Sequence, residues 1–208
     1  MYLINEANFT RELSIPNLTS SQSGNATELG YYGDEKPRLL LQMSLGNVLF
    51  SQLDSQVTNG VLNIDADQKW KDLVNGSTYD GKVWRGLNYQ EGSFKVSLLA
   101  YFTFWHWLND SNSNGYQTQV KNAENINLTS TMVAIWNKFL EMYQGLPYYD
   151  CLPKVSNING TTFVDYYRGG QNSNYVSLLQ FLQDNATNYP DAQLYTFDNL
   201  SNSNSLGL

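Results

Sequence analysis

Apolar residues concentrate between Gln90 and Asp110, QEGSFKVSLLAYFTFWHWLND, the longest block of apolar surface in the chain. Phe94, Leu98, Tyr101, Trp105 and Leu108 recur at the four-then-three spacing of one helical face, and Val96, Leu99, Phe102 and Phe104 fill much of the remainder. A helix apolar nearly all round is a buried one, so this stretch predicts a central helix for the other elements to pack against. A membrane span would need roughly 20 uninterrupted apolar residues. Here Lys95 and His106 interrupt a shorter run.

The flanking pattern predicts further elements. Residues 1 to 32 open with a short mixed run and pass into SIPNLTSSQSGNATELG, which has too few large apolar residues to pack alone and reads as an extended arm. Asp34 as a cap, Pro37 in a first turn, and the periodic Leu41, Leu45, Val48 and Leu49 predict a helix running to about Gln56. After a turn at Asn59-Gly60, Asp65 or Asp67 caps a short helix with Trp70, Leu73 and Val74, stopping at Asn75-Gly76. Asp80-Gly81 is the clearest hairpin signal, directly ahead of the central helix.

Beyond that helix, NDSNSNGYQTQVKNAENIN reads as an exposed loop or protruding hairpin. Thr129 or Ser130 then caps a helix with the stripe Met132, Trp136, Phe139 and Tyr143, closing at Gly145 before Pro147. Its obvious partner is the central helix. Residues 147 to 170 are irregular, with room for a small hairpin turned at Asn159-Gly160. Ser173 or Asn174 opens a last helix carrying Val176, Leu179, Phe181 and Leu182, and the end, DNLSNSNSLGL, reads as a polar tail.

The expected fold is therefore mainly α, a helical bundle of four to five helices around a central aromatic helix. One or two small β-hairpins and extended N- and C-terminal arms complete it. An arm over 1–33 precedes a helical domain over 34–192, which holds a 110–128 loop or hairpin insertion and a 146–170 irregular segment, and a tail spans 193–208. Arms that cannot bury apolar area by themselves order on binding, so both ends are expected to be held by neighbouring chains.

Charge narrows the partners. Twelve Lys plus Arg against nineteen Asp plus Glu give a net charge of −7, which would repel nucleic acid from the surface. Charged residues are only 15% of the chain, and much of the other polarity is Asn, Ser, Gln and Thr. The 15 Tyr, 9 Phe and 5 Trp suit a core and an interface equally, because flat rings bring large contact area at small entropic cost. One cysteine, Cys151, excludes an intrachain disulfide, and one histidine, His106, excludes a two-imidazole metal site. The opening MYLINEANFTRELSI shows no signal-peptide pattern, so synthesis inside the cell is expected and the Asn-x-Ser/Thr triplets at Asn8, Asn17, Asn25, Asn127, Asn159 and Asn185 are discounted as glycan acceptors.

Catalytic signatures are missing: no Gly-rich phosphate loop, His-Glu-x-x-His helix, nucleophile elbow or Cys-x-x-Cys pair occurs. His106 sits between Trp105 and Trp107 with no Ser or Cys nearby to activate, and it reads as structural. The carboxylates Asp65 and Asp67, or Glu141 with Asp150, could flank a glycosidic bond, although helix capping already accounts for the aspartates. Cys151 reads as a packed apolar residue and Gly169-Gly170 as a flexible turn. No catalytic residue, cofactor or metal is expected.

The order WKDLVNGSTYDGKVWRGL, the aromatic YFTFWHWL, a polar loop, NLTSTMVAIWNKFLEMYQG and YVSLLQFLQDNATNYPDA resembles the neck adaptor, or head-tail connector, proteins of tailed bacteriophages, especially Bacteroidetes-type and crAss-like phages. The likeness spans roughly residues 36 to 192. It implies a structural virion protein made in the host cytoplasm. Such a subunit forms a homo-oligomeric, twelve-fold ring below the portal protein, retains packaged DNA in its channel without sequence-specific binding, and offers a platform for other neck or tail proteins. Ring contacts of this kind are head-to-tail, so each subunit uses two different faces. Candidate interface residues are Tyr116 in the 110–128 loop and Tyr148, Tyr149, Tyr166, Tyr167 and Arg168 in the 146–170 segment, since Tyr and Arg are frequent anchors outside the helical stripes. The competing expectations are a secreted carbohydrate-binding or glycoside-processing protein and another virion part such as a tail terminator.

Overall fold

The computed structural model describes residues 1–15, 24–113, 124–145, 155–158, 161–164 and 174–198. Among them are five α-helices: α1 (Gly24–Asp54), α2 (Gln68–Asn75), α3 (Leu98–Ser113), α4 (Glu124–Tyr143) and α5 (Leu178–Asp184). Four antiparallel hairpins accompany the helices, which is more than the one or two expected. They pair β1 (Val57–Thr58) with β2 (Val61–Leu62), β3 (Ser77–Tyr79) with β4 (Lys82–Trp84), β5 (Asn88–Glu91) with β6 (Phe94–Ser97), and β7 (Val155–Ile158) with β8 (Thr161–Val164).

Helix α1 is longer than its periodicity suggests. It starts at Gly24 and not near Asp34, whose carboxylate lies within the helix 3.6 Å from Arg38 Nε. Pro37 is interior, not in a first turn. A proline there lacks the N–H that would bond four residues back, at Gly33. The Gly33 carbonyl accepts instead from Tyr2 N at 2.7 Å. Further along, Gly46 breaks the helix with φ 77 and ψ 164. The Ser44 carbonyl beside this break accepts from Leu194 N at 3.2 Å. Each defect in the ladder is thus filled by one end of the chain.

The described parts of the two expected arms, residues 1–15 and 193–198, pack on the chain's own helices, and 16–23 and 199–208 lie outside the described residues. Tyr2, Leu3, Ile4, Phe9, Leu13 and Ile15 are buried in the main core together with Leu29, Leu41 and Leu45. The first residues form two 3-10 turns, Glu6–Asn8 and Arg11–Leu13, the former closed by reciprocal Asn5 and Asn8 side-chain bonds. At the other end, residues 192–198 run as an extended strap over α4: Tyr143 Oη donates to Tyr195 O at 2.8 Å, Trp136 Nε1 to Asp198 O at 2.9 Å, and the Gln144 amide bonds both backbone groups of Phe197.

The central helix is also shorter than its apolar run. Residues Phe94 to Ser97 are strand β6, paired with β5 across Gly92, and Ser97 Oγ accepts from Ala100 N at 3.3 Å to cap α3. Phe94 accordingly leaves the helical stripe and is 39% exposed. From Leu98 to Phe104 every residue of α3 is buried, and the helix packs between α1 and α4. The α4 stripe survives with Trp136, Phe139 and Tyr143 buried, although the helix starts at Glu124, so Thr129 and Ser130 are interior and not caps. Helix α5 starts at Leu178, capped by Ser177, while Tyr175 forms a parallel bridge to Val83 of β4, with Val176 N donating to Val83 O at 3.0 Å. Asp80-Gly81 and Asn59-Gly60 turn with φ 45, 75 and 53, 76, the two-positive-φ geometry of tight hairpins. Asn75-Gly76 ends α2 as expected, and Asp67 takes the cap position without a side-chain bond.

Phe197 stands where strap, α3 and α4 meet, with ring centroids 5.8 Å from Phe102, 5.5 Å from Trp136 and 5.4 Å from Phe139. Phe197→Ala is expected to cost about 3 kcal/mol in urea unfolding. Truncation after Ala192 should cost at least as much, whereas truncation after Asp198 retains the strap and should leave the midpoint unchanged.

Candidate functional site

The N-terminal segment builds one wall of a broad groove. Leu3 N donates to Gly60 O at 2.8 Å, and Asn88 Nδ2 donates to Leu3 O at 2.7 Å, so the first residues are pinned between the β1–β2 turn and strand β5. Gly60 is required there twice over. Its φ of 76 favours glycine, and a Cβ would lie 1.9 Å from the Met1 carbonyl oxygen. The groove left between this segment, the hairpin and α2 has a volume of about 1000 Å³.

Its chemistry is aliphatic and amide. Ile4 and Val74 are buried along it, while Val61 and Ile64 on the hairpin side are 66% and 94% exposed. Asn5, Asn59, Asn63, Asn75 and Asn88 contribute amides, and among the described residues the charged side chains lining it are Glu6 and Lys71, of opposite sign. No aromatic ring is among the lining residues. Asn88 Oδ1 is buried at this edge with no hydrogen-bond partner among the described residues.

The interface residues expected from the sequence, Tyr116, Tyr148, Tyr149, Tyr166, Tyr167 and Arg168, lie outside the described residues, as do Asp150, Cys151 and Gly169-Gly170. Hairpin β7–β8 falls within the 146–170 segment, with Ile158 paired to Thr161, and the expected turn residues 159–160 lie outside the described residues. Helices α3 and α4 extend into the expected 110–128 loop from both sides, to Ser113 and from Glu124.

The other polar clusters hold elements together. Asp184 Oδ2 accepts from Tyr79 Oη at 2.9 Å and Lys82 Nζ at 2.7 Å, fastening the β3–β4 hairpin to α5. Tyr101 Oη donates to Glu12, tying α3 to the N-terminal segment. Burial, and then these acceptors, push the Tyr79 and Tyr101 hydroxyls well above the usual phenol range. Glu141, a candidate glycosidic carboxylate, is paired with Lys138 at 2.8 Å. Trp70, Trp84 and Trp136 are buried, and Trp105 and Trp107 are half-buried. Asn8, in one Asn-x-Ser/Thr triplet, is buried and accepts from Asn5 N at 2.8 Å. Among the described residues no group of three or more His, Cys, Asp or Glu could hold a metal ion, and no helix is long and apolar enough to cross a membrane.

Known proteins add nothing to this description: no family model, curated protein or solved structure matches the chain. The groove was not foreseen. The Asn59-Gly60 turn was legible, but nothing in the sequence indicates that residues 1–7 return to it.

His106 offers a pH test of the core. Its ring sits 4.5 Å from Phe102 and 5.1 Å from Trp105. Burial lowers its pKa from 6.5 to about 4, the Lys36 charge acts the same way, and Asp110 and Glu35 oppose it. The unfolded chain binds a proton in that window and the folded chain does not, so this contribution is complete above about pH 6.5 and declines as the pH falls towards 4. Comparing urea unfolding at the two ends of the window should show a loss on the order of 2 kcal/mol, and His106→Leu should remove that part of the pH dependence.

Proposed function

We propose that this chain is a structural subunit of the head-to-tail connector of a tailed-bacteriophage virion. In this reading it forms a twelve-fold ring below the portal protein, retains packaged DNA and supplies the platform to which other neck or tail proteins attach. The supporting structural observation is the open groove with Val61 and Ile64 exposed on its hairpin side, an aliphatic surface flanked by amides. Exposed apolar residues beside a concave, nearly neutral surface are the material of a protein–protein contact. The order of aromatic and polar motifs along the chain supplies the assignment to a neck.

The net charge of −7 fits the role of DNA in this reading. A duplex must pass through a connector without adhering, and an acidic wall repels phosphates at short range. A sugar-binding role would call for an exposed ring platform, whereas the described tryptophans are buried or half-buried in the core.

Mass spectrometry of purified particles should find the chain at a constant ratio to portal protein, and antibody labelling should decorate the neck in negative-stain images. Absence from particles, with recovery instead in secreted or sugar-bound material, would refute the reading.

A further inference from the structure

The groove between the N-terminal segment and the β1–β2 hairpin also suggests what occupies it. Aliphatic walls with neither a ring platform nor a net charge disfavour a saccharide or an ionic ligand. Side-chain amides offer a donor and an acceptor each, matching the alternating N–H and C=O of an extended backbone. The chemistry fits an uncharged extended peptide bearing aliphatic side chains.

The chain contains such a segment. The strap is held as far as Asp198, whose carbonyl accepts from Trp136 Nε1 at 2.9 Å. Residues 199–208 then read NLSNSNSLGL, with no charged side chain and with leucines at Leu200, Leu206 and Leu208. In an extended strand Leu206 and Leu208 face the same side, as an aliphatic wall requires. Glu6 and Lys71 cancel in the groove, so it exerts no net attraction on the acidic remainder of the molecule and favours this neutral stretch.

We infer that the groove receives residues 199–208 from a second copy of the chain. The choice of a second copy rests on the ring reading above, in which each subunit presents two different faces. Tail-into-groove contact is heterologous, and repeated around a ring it closes.

A fluorescent peptide of residues 199–208, added to a chain ending at Asp198, should bind saturably. Ile64→Asp and Val61→Asp should each weaken binding about tenfold or more. Both positions are largely exposed, so unchanged thermal midpoints should accompany the loss. Sedimentation of a mixture then assigns the partner: the chain ending at Asp198 supplies only a groove, and full-length Ile64→Asp supplies only a tail. Neither should self-associate, and together they should form a mixed complex. Absence of peptide binding, or binding insensitive to both substitutions, overturns the site. Peptide binding combined with a monomeric full-length chain at saturating concentration means that each tail fills its own groove, and overturns the second copy. These outcomes concern purified protein and are independent of whether the chain is found in virions.

Discussion

Helix α1 cannot satisfy its own backbone, and the arrangement of both chain ends follows from that. Pro37 withholds the N–H that Gly33 O would accept, and the turn at Gly46 diverts the chain beside Ser44. Gly33 and Ser44 are both buried, so water cannot readily supply the missing donors. Leaving a buried carbonyl unpaired costs about 1–3 kcal/mol. Tyr2 and Leu194, near opposite ends of the described chain, supply their N–H groups at 2.7 and 3.2 Å. The termini are therefore components of the helix they cover, and the groove exists because the first residues must lie where Gly33 and Gly60 can hold them.

The aromatic residues play the matching part on the other side of the core. Helix α3 is buried all round from Leu98 to Phe104, and its residues 105–110 are half-buried. Phe102 meets Phe139 at 5.1 Å and Phe197 at 5.8 Å, and Trp136 stands 4.5 Å from Trp105. Tilted and edge-on pairs of this kind contribute about 0.5–1.5 kcal/mol each beyond their buried area. Since α3, α4 and the strap each contribute rings, the cluster gains full strength only once the strap is in place. Side-chain hydrogen bonds from Trp136, Tyr143 and Gln144 to the strap's backbone fix its register, so burial and directionality act on the same few residues.

The helical stripes were legible because burial imposes a period on sequence: Trp70, Leu73 and Val74 in α2, and Trp136, Phe139 and Tyr143 in α4, occupy the expected buried positions. The turns at Asn59-Gly60 and Asp80-Gly81 were legible because positive φ selects such pairs. The start of α3 was misplaced although its signals were present. Gly92 permits the turn and Ser97 caps the helix, but the apolar residues on both sides run together and hide the change of period. The roles of the ends were not legible. A segment such as QLYTFD is too short and too polar to declare a period, and its importance lies in the Ser44 carbonyl that α1 leaves free and in the ring that Phe197 adds to the core. The candidate groove shares this origin, being assembled from residues 1–7, 59–64, 71–75 and 88, which no local pattern connects.

The scarcity of charge has a structural counterpart. Beside ion pairs such as Lys82–Asp184, amides carry many of the contacts: Asn5 and Asn8 close a turn, Asn88 holds Leu3, Asn174 reaches Gly81, and Gln144 clamps Phe197. An amide donates and accepts at once, so it can replace a missing backbone partner without bringing a charge whose burial would cost several kcal/mol. A surface built this way is little screened by salt and discriminates by shape and hydrogen-bond register, not by long-range attraction. That property suits contacts made inside an assembly, where neighbours are delivered by geometry and need not be drawn from solution. Against the net charge of −7 over 208 residues, the groove stands out because its described charged side chains, Glu6 and Lys71, are of opposite sign.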